Sequence, residues 1–384
     1  MRVLLLHSRY LSGPASGENR VLEEESRLLR EAGHDLTVWS PEPEVGGALA
    51  NVRTVGGAIW SRRASRHVAT LVRRGRIDVV HVHNLFPTLS PAVLRAARSS
   101  GAAVVMTLHN YRLMCLPANF LRDGRPCEDC LGRLPWPGVV HRCYRDSALG
   151  SATLAMSLGA GRGAGSFDAV TRFLAVSAFV RSKHVEAGIA PERILVKPNF
   201  TWPAERRTGP GEYLLFLGRL SGEKGVDTIL RAAGRSRGAC PLVVVGDGPD
   251  AEALRREAPA NVTFRGQVGA SEVPSILARA RALLVPSRWY EAAPRSIIEA
   301  YAAGVPVIAS DIGALPEAVG ENDTGLLAPP EDAGAWAARM EELADDGTSL
   351  RLGDAAFARW QERFSPERGV RDLEEAYSEA MAAR

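Results

Sequence analysis

Two glutamates, Glu291 and Glu299, stand eight residues apart near the C-terminal end of the sequence, around the start of an apolar helical segment. Glu299 lies among Ile297, Ile298 and Ala300, so its carboxylate is at the edge of an apolar surface. Carboxylate oxygens accept hydrogen bonds from hydroxyl groups, which ribose and hexose rings present. The spacing indicates a site for such a ligand, although each acid taken alone is also typical of a solvent-exposed side chain.

A pair of cations follows an earlier strand, in residues 218–225. A strand, a glycine turn at Gly218 and then a helix place Arg219 and Lys224 near a helix N-terminus, where unpaired N–H groups already favour anions. Together the two cations could neutralise a diphosphate. The stretch lacks the Walker pattern, and charged residues in a loop are also common at a surface.

Two further strand ends have features of a nucleotide site. Residues 246–249 form a tight turn that includes Asp247, where backbone can approach a ligand, although the dinucleotide-binding glycine fingerprint is incomplete. The segment with Arg265, Gln267 and Val268 ends another strand, and its exposed backbone could pair with a nucleobase edge.

Four of the five cysteines fall within 29 residues, with one Cys-x-x-Cys pair: Cys115, Cys127, Cys130 and Cys143. Four thiolates at such spacings can complete a tetrahedral zinc site in a loop with little core of its own, and His141 is a substitute ligand. We therefore predict a structural zinc, with reduced thiols that bind no metal and a redox pair as alternatives. Cys240 is expected to be a small buried hydrophobe.

The elements that must position these groups alternate between short apolar strands and helices, which is typical of parallel sheets covered by helices. At 384 residues, two domains are expected. The first half has predicted strands at 2–6, 35–39, 77–82, 103–108, 172–176 and 193–197, and helices at 18–32, 61–74, 90–99 and 178–187. The second half has predicted strands at 213–217, 242–245, 262–264, 282–285 and 306–309, and helices at 224–233, 250–257, 271–278, 294–303 and 367–382.

Two segments interrupt this alternation: a cysteine-rich loop at 112–146 and a stretch of small residues at 147–166. A proline-containing linker is predicted near 197–204. Ligands of open α/β sheets bind beyond the C-terminal strand ends, where His7, His83 and His109 are predicted to lie. Each histidine taken alone could equally be structural.

Composition is that of a globular protein, with 46% hydrophobic and 24% charged residues, and no apolar run long enough for a signal peptide or a membrane span. A cytoplasmic enzyme is expected, with peripheral association at the inner face of a membrane as an option. Residues 1–200 carry 26 Lys and Arg against 16 Asp and Glu, and basic residues are densest at 60–76. This excess favours an anionic or membrane-associated acceptor, unless 60–76 is only a solvated arginine face. No nucleic-acid motif accompanies the charge.

In their order along residues 214–327, these motifs resemble the retaining glycosyltransferases of family 4. The resemblance implies the GT-B fold: two Rossmann-like domains facing across a cleft, with a C-terminal helix returning to the first domain. The implied boundaries are 1–200 for acceptor binding, 205–364 for the nucleotide-sugar donor, and 365–384 for the helix. The implied catalytic residues are His109, Arg219, Lys224 and Glu291. The implied donor-binding residues are Gly17, Gly218, Asp247, Arg265, Gln267, Val268, Arg295, Ser296 and Glu299.

The same resemblance implies transfer of a hexose-type sugar from a UDP-sugar, or alternatively a GDP-sugar, to a hydroxyl of a glycan, a lipid-linked acceptor or a small natural product. Retention would follow front-face attack, and no catalytic metal is expected. Ala292 to Arg295 depart from the family pattern, and Pro294 removes an amide that Arg295 would offset with its charge. The alternatives are a nucleotide-sugar epimerase or hydrolase and a non-catalytic nucleotide-sugar-binding protein.

Overall fold

The computed structural model describes residues 1–9, 17–42, 55–236, 240–320 and 323–384. The chain divides into two compact units. Unit 1 comprises Met1–Phe120, Glu128–Lys197 and Gly369–Arg384, and unit 2 comprises Leu121–Cys127 and Pro198–Arg368. Among the described residues, no helix is both long and apolar enough to cross a membrane.

Unit 1 is built on a six-stranded sheet in which every pairing is parallel, in the order β2-β1-β3-β4-β7-β8. Its strands are β1 (Arg2–His7), β2 (Asp35–Trp39), β3 (Val79–Asn84), β4 (Ala103–Leu108), β7 (Arg172–Ala175) and β8 (Ile194–Val196). Its helices are α1 (Gly17–Glu31), α2 (Arg62–Gly75), α3 (Ala92–Ser99), α4 (Trp136–Val140), α5 (Ala148–Gly163) and α6 (Ala178–Glu186). Strands β3 and β4 are buried along their whole length, as expected of a sheet covered on both faces.

The two segments that interrupt the predicted alternation contain regular structure. Residues 112–146 include α4 and a short antiparallel hairpin of β5 (Leu121–Arg122) and β6 (Arg125–Pro126). The small-residue stretch 147–166, for which no helix is predicted, is largely α5. Ser147 caps this helix by accepting the Gly150 N–H, and Leu154 and Leu158 pack in an apolar cluster with Phe86. Burial therefore stabilises a helix that its glycines alone would disfavour.

Unit 2 has a second six-stranded parallel sheet, in the order β11-β10-β9-β12-β13-β14. Its strands are β9 (Tyr213–Leu217), β10 (Leu242–Val245), β11 (Val262–Gly266), β12 (Ala280–Val285), β13 (Val307–Ser310) and β14 (Gly325–Ala328). Its helices are α7 (Val226–Arg235), α8 (Ala251–Glu257), α9 (Val273–Ala278), α10 (Arg295–Ala302), α11 (Leu315–Val319), α12 (Ala333–Glu342) and α13 (Asp346–Arg363). Two apolar clusters pack against this sheet. Strand β14 and helices α11 to α13 were not predicted from the sequence.

The last helix, α14 (Pro366–Ala382), joins unit 1 from Gly369 onward. Glu374 accepts from His34 at 3.0 Å, and Glu379 pairs with Arg172 at 3.2 Å. The predicted fold, with a C-terminal helix that returns to the first domain, is confirmed.

Both sheets contain a point where the strand order reverses. In unit 2 the chain runs from β9 to β10 and β11 on one side, then returns to β12 on the other side of β9. In unit 1 the reversal lies between β1 and β3. Open α/β sheets bind ligands beyond the carboxyl ends of the strands at such a reversal, so these two places are where functional residues are expected.

Candidate functional site

The reversal in unit 2 is bridged by an ion pair. Lys224 follows β9 and Glu291 follows β12, and the Lys224 Nζ lies 2.6 Å from the Glu291 Oε1. The ammonium also lies 5.3 Å from the centre of the Trp289 ring, within the range of a cation–π contact. The two residues were predicted to bind different parts of one ligand, and the structure shows that they also bind each other.

Backbone packing explains why the two loops meet. The 3₁₀ turn Gly222–Lys224 ends at Gly225, whose φ of 66° is in the left-handed region. A Cβ at this position would lie 2.0 Å from the Pro286 carbonyl oxygen, so only glycine lets the turn approach so closely. The Arg288 N–H then donates to the Glu223 carbonyl at 2.9 Å. The pair is therefore fixed by main chain as well as by charge.

Three donors converge on one oxygen of the Glu291 carboxylate. Besides Lys224, the Ser287 hydroxyl donates to Oε1 at 2.7 Å and the Trp289 Nε1 donates at 2.9 Å. Burial alone would raise the pKa of Glu291, but the charge of Lys224 and these hydrogen bonds outweigh it, and the pKa is lowered. No donor from the described part of the chain reaches Oε2. The carboxylate is thus ionised, held in place, and able to accept through its second oxygen.

Three glycines form the neighbouring strand ends. Gly246 donates its N–H to the Gly266 carbonyl at 2.8 Å, and Gly218 donates to Val245 at 3.0 Å. A Cβ at Gly246 would lie only 1.8 Å from the Gly218 carbonyl oxygen. These strand ends therefore expose main chain without side chains. This agrees with the prediction that the turn at 246–249 lets backbone approach a ligand. Beside these strand ends, the exposed Asp247 accepts its neighbour's N–H at 2.8 Å through its carboxylate.

The other predicted donor residues of unit 2 are not drawn into the Lys224–Glu291 contact. Arg219, Arg265 and Gln267 are exposed, whereas Val268 and Ser296 are half-buried. The Arg295 Nη2 lies 3.4 Å from the Glu299 Oε1, one turn apart on α10. Arg295 is therefore engaged by Glu299, and its proposed compensation for the missing Pro294 amide stays a prediction.

In unit 1 the three predicted histidines lie together at the carboxyl ends of β1, β3 and β4. His83 Nδ1 is 2.9 Å from His109 Nε2, and the rings of His7 and His83 are 6.4 Å apart in an edge-to-face arrangement. Desolvation lowers the pKa of His109 to about 3, so its imidazole is neutral at pH 7. In this environment His109 can exchange hydrogen bonds but is a poor proton donor.

Sequence reasoning missed the groups beneath these histidines. Glu25 of α1 is fully buried and accepts from the buried Lys197, while His81 bonds the Tyr377 hydroxyl at 2.8 Å. Among the described residues, Glu25, His81 and His83 form the one group of three side chains close enough to share a metal ion, but Lys197 already occupies the Glu25 carboxylate. Glu25 stands at a core-facing position of an amphipathic helix, and this position could have predicted from the sequence that its carboxylate is buried.

Gly17, predicted to bring backbone near the phosphate, is the exposed first residue of α1. The next residue, Glu18, accepts from the Asn110 side chain. Desolvation raises the pKa of Glu18. The structure thus places Gly17 at a helix start, and its role near the phosphate stays a prediction.

The five cysteines lie among the described residues, and none forms a disulfide. Cys115 and Cys130 are buried, and burial raises the pKa of the Cys115 thiol to about 11. Zinc would hold its thiolates about 4 Å from one another, given a Zn–S distance near 2.3 Å. Cys115, Cys130 and Cys143 of unit 1 do not form a group within 4.8 Å. As placed, these thiols do not fit a zinc ion, and His141 is exposed.

Comparisons with known proteins match both units to glycosyltransferase families. The family described as "Glycosyltransferase Family 4" matches residues 15–201, and "Glycosyl transferases group 1" matches 211–346. The chain is 27% identical to a phosphatidyl-myo-inositol mannosyltransferase of Mycolicibacterium smegmatis, over 93% of this chain and 88% of that protein. It is 27% identical to a GDP-mannose-dependent alpha-(1-6)-phosphatidylinositol monomannoside mannosyltransferase of Mycobacterium tuberculosis, over 94% and 93%. A glycogen synthase of Mycobacterium tuberculosis is 38% identical, but over only 38% of this chain and 37% of that protein.

Solved structures agree on the architecture. Sucrose-phosphate synthase from Thermosynechococcus elongatus superposes with a TM-score of 0.70 at 18% identity, over 100% of both chains. Anabaena HepE in complex with UDP gives a TM-score of 0.67 at 17% identity, over 98% of this chain and 100% of that one. At these identities the similarity establishes the fold.

Proposed function

This chain belongs to glycosyltransferase family 4 and is a glycosyltransferase of the GT-B fold, and on that premise we propose that it moves a hexose from a nucleoside diphosphate sugar to an acceptor hydroxyl with retention of configuration. UDP is the first nucleotide to test, because a structure with the same fold binds UDP. GDP is the second, because a relative is named as GDP-mannose-dependent.

The observation that carries the proposal is the Lys224–Glu291 pair at the strand-order reversal. An ammonium has three protons to donate, so a contact with Glu291 leaves two for the oxygens of a diphosphate. Negative charge accumulates on the departing diphosphate, and a cation fixed beforehand stabilises that charge most effectively. Arg219, exposed on the same strand-end loop, is proposed as the second cation. Removing one such donor costs roughly 3–4 kcal/mol in the transition state.

Glu291 is proposed to bind the transferred sugar. Its Oε1 is saturated by three donors, and its Oε2 is left to accept from sugar hydroxyls. Glu299, paired with Arg295, is proposed to accept from the ribose hydroxyls. The backbone around Arg265, Gln267 and Val268 would hold the base, and the bare glycine edge would admit the phosphates.

Retention is proposed to follow front-face substitution. The bond from the anomeric carbon to the phosphate oxygen breaks, the bond to the acceptor oxygen forms on the same face, and the acceptor proton passes to the departing phosphate. No step uses a metal ion. His109 stays a predicted catalytic residue, and its low pKa suits a neutral hydrogen-bond partner rather than an acid. Unit 1 is proposed to bind the acceptor.

The test is a panel of UDP- and GDP-hexoses with mass-spectrometric detection of products. A glycosylated acceptor supports the proposal, whereas free sugar alone indicates a hydrolase and an altered donor sugar indicates an epimerase. Lys224→Ala should lower kcat about 10²–10³-fold. The matched control is Arg231→Ala, which removes an exposed cation from an ion pair in the same unit and should leave kcat unchanged. Equal turnover of Lys224→Ala and wild type contradicts the phosphate assignment.

A further inference from the structure

Exposed apolar side chains are concentrated at one place in unit 1. Among the described residues, eight large hydrophobic side chains are exposed, and five of them lie between positions 134 and 156. Val140 is 77% exposed, Leu149 67% and Trp136 56%. Exposed apolar patches of this kind mark interaction sites. The α4–α5 face, as we name it, consists of Leu134, Trp136, Val140, Leu149 and Met156.

The α4 part of this face has a defined outer side. Trp136 and Val140 stand four residues apart, which puts them on the same side of the helix. The inner side is closed at Gly138, where an added Cβ would come within 2.8 Å of the Leu116 side chain. The core behind α4 is therefore filled, and the exposed parts of Trp136 and Val140 lie on the side away from that core.

The α5 part continues the same surface. Leu149 and Met156 are seven residues apart and share one side of α5, while Leu158 is buried on the other side. Helices α4 and α5 pack against each other. Leu134 lies beside α5 as well, since its Cδ2 is 3.7 Å from where a Cβ at Gly159 would be. Leu134, Leu149 and Met156 therefore lie along α5, and Trp136 and Val140 are exposed on the helix that packs against it.

Basic residues are interspersed in the sequence with the residues of this face. Residues 131–164 contain four arginines and a single acid, Asp146, and residues 148–161 of α5 carry no charge. The exposed basic residues are Arg133, His141, Arg142 and Arg145. A surface of this composition attracts both anions and apolar groups.

We propose that the α4–α5 face docks on the headgroup region of an anionic lipid bilayer. The indole of Trp136 is suited to the membrane–water interface, and Val140 and Leu149 would enter the acyl boundary. The arginines would lie beside lipid phosphates. A second copy of the chain is a poorer occupant, because two copies of a face rich in cations would repel each other. The proposal does not depend on the transferase assignment.

The test is co-sedimentation of the full chain with sucrose-loaded phosphatidylcholine vesicles, with and without phosphatidylglycerol. The wild type should sediment with the anionic vesicles, and high salt should release it. Trp136→Ser with Val140→Ser should lower the partition coefficient roughly tenfold or more. Arg142→Gln and Arg145→Gln should each lower it about fivefold.

The control is Leu350→Ser, because Leu350 is 40% exposed in unit 2 and its loss should leave partitioning unchanged. Circular-dichroism melts establish that each variant is folded. Wild-type protein that stays in the supernatant with anionic vesicles overturns the proposal, and so does equal sedimentation of the double variant. A wild-type dimer that the double variant dissociates would instead assign the face to a protein interface.

Discussion

Removing the cation of the buried Glu25–Lys197 pair should change both the stability of unit 1 and the pH dependence of that stability. Glu25 is fully buried and Lys197 is 2% exposed. The ammonium contacts Glu25 Oε1, and Glu25 Oε2 is 3.4 Å from His83 Nε2. Lys197→Met keeps an aliphatic side chain of similar length but leaves the carboxylate without its charge partner.

The magnitude follows from the burial of the pair. Breaking a buried ion pair by removing one partner costs about 3–5 kcal/mol, because an uncompensated charge is left out of water. For a unit of this size, that loss corresponds to roughly 6–20 °C in Tm. An exposed pair supplies the contrast: Arg27 and Glu31 are 61% and 50% exposed, and Arg27→Met should change the free energy of unfolding by less than about 1 kcal/mol.

The pH dependence has a definite sign. In the wild type, burial tends to raise the pKa of Glu25, but Lys197 and the other neighbours lower it below the ordinary value. Its ionised form therefore contributes stability at neutral pH, which is lost as pH falls through the lowered pKa. In Lys197→Met burial acts unopposed by the ammonium, the pKa rises, and the destabilisation is largest at high pH. The difference in free energy of unfolding between the wild type and Lys197→Met should become smaller as pH falls from 8 to 5.

Urea denaturation followed by circular dichroism at several pH values measures this. The double variant Glu25→Gln with Lys197→Met removes both charges and should recover much of the stability at pH 8. A Lys197→Met variant as stable as wild type at pH 8 would refute the argument. So would a deficit that stays constant with pH, because it would mean that the ammonium only fills space.

Three further outcomes are expected. Gly246→Ala should cost about 1–3 kcal/mol of unfolding free energy, because its Cβ would overlap a neighbouring carbonyl oxygen 1.8 Å away. Gly163→Ala, with nothing within 4 Å, should cause no loss of stability in the same urea titration, since alanine favours the helix over glycine. Glu291→Gln should lower kcat but still bind free nucleotide diphosphate in calorimetry, and loss of nucleotide binding would contradict its assignment to the sugar. Elemental analysis should find no stoichiometric zinc, because Cys115, Cys130 and Cys143 are not grouped closely enough to share an ion; about one zinc per chain, lost when Cys127 and Cys130 become serine, would instead support the zinc predicted from the sequence.

Local pattern predicted much of this protein. Alternating apolar strands and helices gave both parallel sheets, because fully buried strands require continuous apolar runs. The elements missed after residue 310 include α11, a short helix with proline in its first turn, and α13, whose glycines and exposed charges weaken the local helical signal. These elements are stabilised by packing on the core of unit 2. That packing cannot be predicted from the local sequence pattern.

The sequence by itself indicated the candidates for the chemistry: two glutamates, two cations and the glycines where main chain must come close. Which of these groups meet was decided by the tertiary structure. Lys224 and Glu291 are 67 residues apart, and Glu25 and Lys197 are 172 apart. In a parallel sheet every neighbouring strand arrives through a crossover, so contacts at the strand ends join distant segments. The ion pairs and the burial of these side chains form only when the strands have assembled into the sheet. The pKa shifts that depend on them are therefore properties of the folded structure.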